Sequence, residues 1–196
     1  MTCNTGRVVR ALLGILAFGF STSGPASGAD APKSSYTEQE RRGLTYCVGL
    51  SDTAFAVAER KLRGATEGDQ RAEYAARPRS EVTLPLIEKV YGDDFKSSWD
   101  YAVRFFDECA VNVVELQQVR LAGADTCLQQ GMIASLAHSQ KAGGATKDSV
   151  YAYFAKFPAE STHAVIDAVY AKPEKDRPAA ELAAWSSCMA PLTRAE

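Results

Sequence analysis

Cysteines are the residues best suited to covalent chemistry, and four of them lie in the body of the chain: Cys47, Cys109, Cys127 and Cys188. An even set of cysteines is typical of disulfides in exported proteins. No C-x-x-C pair is present, which argues against a zinc site, and no C-x-x-C-H attaches haem. We therefore predict two disulfides, with free or metal-bound thiols as the less favoured alternatives.

The histidines and acids form no spacing that is typical of a catalytic or metal site. His138 and His163 match neither H-x-x-x-H nor H-E-x-x-H, and no G-x-S-x-G elbow occurs. We predict no catalytic residue, no metal and no cofactor, and we interpret the histidines as partly buried structural side chains. The alternative hypothesis is that His138, His163 and Asp167 contact a ligand or a partner.

The N-terminal 29 residues have the pattern of a secretory signal peptide. Arg7 and Arg10 precede an unbroken apolar run at residues 11–20, and small residues follow up to Ala29. The run is about half the length of a membrane-spanning helix, so we expect cleavage before Asp30 and no stable span afterwards. Cys3 would be removed with the signal. The alternative is an apolar helix at the start of the domain. Residues 30–36 are predicted to be a flexible leader.

An internal repeat follows from the cysteine spacing, because Cys47–Cys109 and Cys127–Cys188 differ in length by one residue. Aligning Cys47 with Cys127 also pairs the two K-x-x-G-A-T segments (residues 61–66 and 141–146) and the two I-x-x-V-Y segments (residues 87–91 and 166–170). The repeat favours the pairs 47–109 and 127–188. A local link between Cys109 and Cys127, with Cys47 bound to Cys188, is the alternative pairing.

Apolar residues recur at helical spacing throughout, so the predicted fold class is all-α. We predict a compact bundle of two tandem modules, repeat 1 over residues 37–122 and repeat 2 over residues 123–196. Each module would have about four helices and one disulfide. The predicted helices are residues 37–64, 66–77, 84–91 and 97–119, then 124–142, 147–157, 159–171 and 178–189.

The two shared segments are interpreted as helix-to-helix connections. Lys61 and Lys141 would favour the carbonyl end of their own helices, glycine would end those helices, and threonine would cap the next ones. One difference between the copies stands out: residues 150–157 (VYAYFAKF) are far more apolar than residues 70–77 (QRAEYAAR). We interpret this difference as burial between the copies, with an exposed binding patch as the alternative.

The pattern of an early cysteine, a G-A-T break, an I-x-x-V-Y helix and a closing cysteine resembles small exported bacterial proteins, most of them uncharacterised. The resemblance covers residues 47–109 and 127–188 and implies a periplasmic, helical, disulfide-bonded module without catalytic residues. A second, looser similarity is to helical, disulfide-containing immunity proteins that bind toxins in the periplasm.

Composition narrows the function classes. Charged residues make up 23% of the chain and the net charge is -2, so no basic field attracts nucleic acid. We predict a periplasmic or secreted protein, more consistent with a non-enzyme, that binds or inhibits another envelope or secreted protein. The alternative is an envelope enzyme or small-ligand binder with its site at the junction of the repeats. A stabiliser needed under stress is a third hypothesis.

Overall fold

The structure is a computed structural model that describes residues 36–172 and 174–194. The predicted signal peptide, residues 1–29, lies outside the described residues, and so does the predicted leader except for its last residue. That residue, Tyr36, is fully buried, donates its backbone N–H to the Leu192 carbonyl, accepts from the Arg194 N–H and donates its hydroxyl to the Arg120 carbonyl. The chain is therefore anchored in the core from Tyr36 onward.

The described residues form eight α-helices, which confirms the all-α prediction. Within this part of the chain no strand is present, and the single β-type contact is the bridge between Tyr36 and Thr193. Two 3-10 turns, Gln118–Arg120 and Ala190–Leu192, complete the secondary structure. The helices are α1 Glu38–Leu62, α2 Glu67–Ala75, α3 Ser80–Gly92, α4 Ser98–Asn112, α5 Leu121–Ala142, α6 Lys147–Tyr153, α7 Ala159–Ala171 and α8 Arg177–Met189. We call α1–α4 the first half and α5–α8 the second half.

Capping side chains begin most of these helices. Thr37 and Glu40 form the capping box that opens α1. Thr66 and Thr146 cap α2 and α6, as the G-A-T segments predicted. The preceding glycines, Gly64 and Gly144, have φ angles of +90° and +84°, which only glycine adopts without strain.

Four helix boundaries differ from the prediction by three residues or more, and one of them is the start of α5, at Leu121 rather than at residue 124. α3 begins at Ser80 rather than near residue 84, and α6 ends at Tyr153 rather than at residue 157. α4 ends at Asn112 because the chain reverses there: Glu115 takes a left-handed φ of 59°, which turns Leu116 back into the core. Val113, which lies within the predicted range 97–119 but beyond the observed end of α4, is 61% exposed.

Both predicted disulfides are confirmed. Cys47–Cys109 joins α1 to α4, and Cys127–Cys188 joins α5 to α8, with Cα–Cα distances of 5.7 and 5.4 Å. All four cysteines belong to one central apolar cluster or pack against it. The disulfides therefore hold the same pair of helices in each half and meet in a shared core.

The central cluster also contains an aromatic pair from equivalent positions of the two halves. Phe106 of α4 and Trp185 of α8 are both fully buried, and their rings meet edge to face at 5.8 Å. The Trp185 indole N–H donates to the Thr45 hydroxyl of α1. Equivalent residues that contact each other indicate an approximate two-fold relation between the halves. Two outer clusters, one around Ile87 and one around Ile166, complete the core.

The shared lysine has a role beyond the predicted one. Lys61 lies in the last turn of α1, as predicted, and its ammonium also donates to the carbonyls of Val90, Tyr91 and Asp93 at the end of α3, at 2.7 to 3.1 Å. Lys141 makes the equivalent bonds to Val169, Tyr170 and Lys172 at 2.8 to 3.3 Å. The prediction that each lysine serves its own carbonyl end was therefore incomplete, because the cation satisfies a neighbouring helix.

The shared tyrosine completes this connection. Tyr91 donates its hydroxyl to the Ala65 carbonyl at 2.5 Å, and Tyr170 donates to the Ala145 carbonyl at 2.7 Å. Each tyrosine thus fixes the G-A-T turn to the helix whose end the lysine holds. The two sequence segments that defined the repeat are one hydrogen-bonded unit in each half.

We predict that Lys61→Met and Lys141→Met each lower the free energy of unfolding by about 1–3 kcal/mol, because three helix-end carbonyls lose a charged donor. Urea unfolding at neutral pH measures the change. Arg63→Met is the control, since Arg63 lies on the surface beside Glu59 and its loss should cost less than about 0.5 kcal/mol. A lysine variant as stable as the control would contradict this role.

Candidate functional site

The three polar residues predicted to contact a ligand do not form one site. His163 and Asp167 lie on the exposed face of α7, where the His163 ring stacks on Tyr151 at 4.0 Å, so the prediction of a partly buried side chain was wrong for His163. His138 is half-buried on α5, with its Nε2 3.3 Å from the Glu174 carbonyl. His138 therefore contacts the connection between α7 and α8, whereas His163 and Asp167 contact α6.

Asp167 joins α6 to α7. Its carboxylate accepts from the Lys147 ammonium at 2.8 Å and from the Tyr151 hydroxyl. The Lys147 ammonium, followed by the Tyr151 hydroxyl, holds the pKa of Asp167 below its ordinary value. In the first half Glu88 stands at the equivalent position of α3 and pairs with Arg71 of α2. Both halves thus connect the same two helices with a surface ion pair, which explains Asp167 without a ligand.

A cleft opens where the two halves meet. It has a volume of about 490 Å³, and its walls come from α1, the start of α4, α5 and the region after α6. We call it the junction cleft. Its lining residues are Phe55, Glu59, Leu62, Lys96, Ser97, Ser98, Trp99, Leu136, Tyr153, Phe154, Lys156 and Phe157.

Apolar side chains from both halves line the junction cleft. The Trp99 ring of the first half lies 5.0 Å from the Phe157 ring of the second half. At the rim Leu62 is 48% exposed and Tyr153 is 62% exposed, whereas Phe154 is buried. The apolar segment 150–157 thus supplies both contacts between the halves and an exposed surface, so each of the two interpretations describes part of it.

The charges of the cleft are unbalanced. Lys96 and Lys156 lie on its lining, and no carboxylate of the described residues forms an ion pair with either ammonium. Lys156 packs over the Phe157 ring at 5.2 Å. The one acid of the lining, Glu59, is paired with Arg63. The cleft therefore presents two cations around an apolar floor.

A buried carboxyl group lies elsewhere between the halves. Glu181 of α8 is 3% exposed and stands against α5, where a Cβ at Gly131 would come within 3.2 Å of its Cγ. Asp52 of α1 pairs with Arg177 of α8 beside it. Burial, followed by the negative charge of Asp52, raises the pKa of Glu181 from 4.5 to about 9. Glu181 is therefore neutral at pH 7.

A second pair of carboxyl groups lies where α4 meets α5. Burial raises the pKa of Asp125, and a hydrogen bond with Asp107 raises it further, to about 7. Both groups have one buried oxygen without a hydrogen-bond partner. In residues 36–172 and 174–194 no group of three or more His, Cys, Asp and Glu side chains is arranged to hold a metal ion.

No helix among the described residues is both long and apolar enough to cross a membrane. No protein-family model, curated protein or solved structure matches the chain with significance.

Sequence reasoning missed the residues of the junction cleft. Leu62, Lys96 and Lys156 lie in three different segments, and only the packing of the halves brings them together. The one available signal was the difference in polarity between residues 70–77 and 150–157. It marked the second-half wall of the cleft but not the first-half wall.

We predict that Glu181→Gln changes how stability depends on pH. An acid whose pKa is raised by folding keeps its proton while the unfolded chain releases it, so the protein loses stability as pH rises from 4.5 towards 9. Relative to the Gln variant, the wild type should lose up to about 1 kcal/mol per pH unit between pH 5 and pH 8. Urea unfolding over that range measures the difference.

Glu160→Gln provides the matched control, because Glu160 is exposed on α7. It should leave the slope of stability against pH unchanged. The contribution of Asp125 has the same sign, but it is present in every variant and cancels in the comparison. Parallel pH profiles for wild type and Glu181→Gln would show that Glu181 is ionised in the folded protein.

Proposed function

We propose that this chain is an exported, non-enzymatic protein that binds a segment of another envelope or secreted protein in the junction cleft. The observation that carries the proposal is the cleft itself: exposed apolar side chains from both halves surround a space of about 490 Å³, with two ammonium groups at its edge. Exposed apolar surface next to polar residues is typical of protein–protein contact sites.

The chemistry of the cleft indicates what the bound segment carries. Trp99, Tyr153 and Phe157 provide aromatic surface for an apolar side chain. Lys96 and Lys156 have no carboxylate partner among the described residues, so they favour carboxylates on either side of that apolar group. The proposed partner segment therefore has an aromatic or aliphatic residue flanked by Asp or Glu.

Export is supported by the signal-like residues 1–29 and by the two disulfides, which form and persist in oxidising compartments. A common origin of the halves is supported by three features that both halves share. Each has a disulfide between its first and fourth helices, a lysine that donates to carbonyls at the end of its third helix, and a tyrosine bonded to the G-A-T turn. A tandem of this kind provides a junction between its copies, and that junction is where the cleft lies.

A photo-crosslinking residue in place of Tyr153 tests the proposal in the source cells. We expect one discrete adduct in the envelope or secreted fraction, since Tyr153 lies at the rim of the cleft. Val119 is the matched control position, because it is a large apolar residue that is 85% exposed outside the cleft. Equal labelling from the two positions, or none from either, would contradict the proposal.

Charge reversal tests the proposed chemistry in solution. Purified chain is screened against short peptides in which an aromatic residue is flanked by either acidic or basic residues. Lys96→Glu with Lys156→Glu should weaken binding of the acidic peptides by about tenfold, since two ion pairs of ordinary strength are lost. The same variant should improve binding of the basic peptides. Unchanged affinities would show that Lys96 and Lys156 do not contact the bound peptide.

A further inference from the structure

A second cavity lies wholly within the second half. It is a groove of about 300 Å³ between α7 and α8, with α5 as its floor. Six of its lining residues are alanines, so we call it the alanine groove: Ala134, Ala164, Ala168, Ala180, Ala183 and Ala184. It shares no lining residue with the junction cleft.

The first half shows what fills this space when the side chains are large. Tyr101 stands at the position equivalent to Ala180, and its ring is almost fully buried between α3 and α4. Phe105, equivalent to Ala184, packs against the same cluster. The Phe95 ring lies 4.4 Å from the Tyr101 ring. The first-half counterpart of the groove is therefore filled by aromatic side chains of the protein itself.

Ion pairs also cover this position in the first half. Lys89 of α3 reaches Glu108 of α4 at 3.3 Å, and Arg104 lies 5.1 Å above the Tyr101 ring. Their equivalents in the second half are Ala168, Ser187 and Ala183. Both the ring and the cover above it are thus replaced by small side chains, and the space they would fill remains open.

The polar end of the site has also changed. In the first half the Tyr101 hydroxyl donates to the Asp93 carboxylate at 3.0 Å. The residue equivalent to Asp93 is Lys172, which lines the alanine groove together with Glu174. The acceptor has therefore become a cation, which can pair with a negatively charged group at the position of the tyrosine hydroxyl, while the Glu174 carboxylate on the same lining leaves this end of the groove with one charge of each sign.

We propose that the alanine groove binds a free monocyclic aromatic acid. The ring occupies the space that Tyr101 occupies in the first half, and the carboxylate pairs with the Lys172 ammonium. This site goes beyond the proposed function, because it needs neither the junction cleft nor a protein partner. A single ring with one substituent fits a cavity of about 300 Å³.

Binding is measured by NMR of the alanine methyl groups in the purified, oxidised chain. The probes are 4-methylphenol, which reproduces the tyrosine side chain, and 4-methylbenzoate, which has the same ring with a carboxylate. We expect saturable shifts at Ala180 and Ala184, with a Kd for 4-methylbenzoate below about 1 mM. Ala102, buried on α4 of the first half, should not shift and serves as the internal control.

Two variants separate the ring contact from the charge contact. Ala184→Phe restores the first-half residue and should abolish binding of both probes. Lys172→Gln should weaken 4-methylbenzoate by about three- to fivefold and leave 4-methylphenol within twofold, since only the carboxylate uses the ammonium. Lys172 is exposed, so this variant remains informative even if Ala184→Phe does not fold.

Several results would overturn the proposal. Absence of saturable shifts with both probes would show that the groove binds no ring. Equal shifts at Ala102 and Ala180 would indicate non-specific binding. If Lys172→Gln weakens the binding of both probes equally, the carboxylate does not pair with the Lys172 ammonium. If octanoate binds as tightly as 4-methylbenzoate, the groove is a site for an acyl chain and not for an aromatic ring.

Discussion

Each half of this protein depends on a covalent link between its first and last long helices. The links close loops of 62 and 61 residues, which in the chain-entropy model stabilises each half by about 4 kcal/mol. Because all four cysteines pack in or against one apolar cluster, the links also bring Phe106 and Trp185 together. The approximate two-fold relation follows from this arrangement: two fixed helix pairs share one core, and the shorter helices pack on either side.

The two cavities lie where the second half differs from the first. The charged segment 70–77 corresponds to the aromatic segment 150–157, which forms one wall of the junction cleft. Tyr101 and Phe105 correspond to Ala180 and Ala184, which leave the alanine groove open. The disulfides and the lysine–carbonyl contacts recur in both halves. The helix arrangement is therefore the same in the two halves, while the side chains that line these cavities differ.

Local signals in the sequence predicted the disulfides and most of the helices. Cysteine spacing identified the disulfide pairs, and glycine and threonine marked the turns from α1 to α2 and from α5 to α6. The end of α4 could not be predicted, because the reversal at Glu115 depends on Leu116 reaching a core that forms only after folding. Lys61 and Lys141 were assigned to their own helices for the same reason, since their carbonyl partners lie about 30 residues away in sequence. Both cavities form only through tertiary packing, so their shapes could not be predicted. The sequence did contain one sign of the alanine groove, because Tyr101 and Phe105 align with Ala180 and Ala184.

We infer that ligands bind where the two halves differ. Crystals of the oxidised chain soaked with a set of small aromatic fragments test this inference without assuming a ligand. We expect density for fragments in the junction cleft and in the alanine groove, and none at the equivalent first-half position, where Tyr101 fills the space. Fragments bound over Tyr101 as often as in the alanine groove, or bound only outside both cavities, would contradict it.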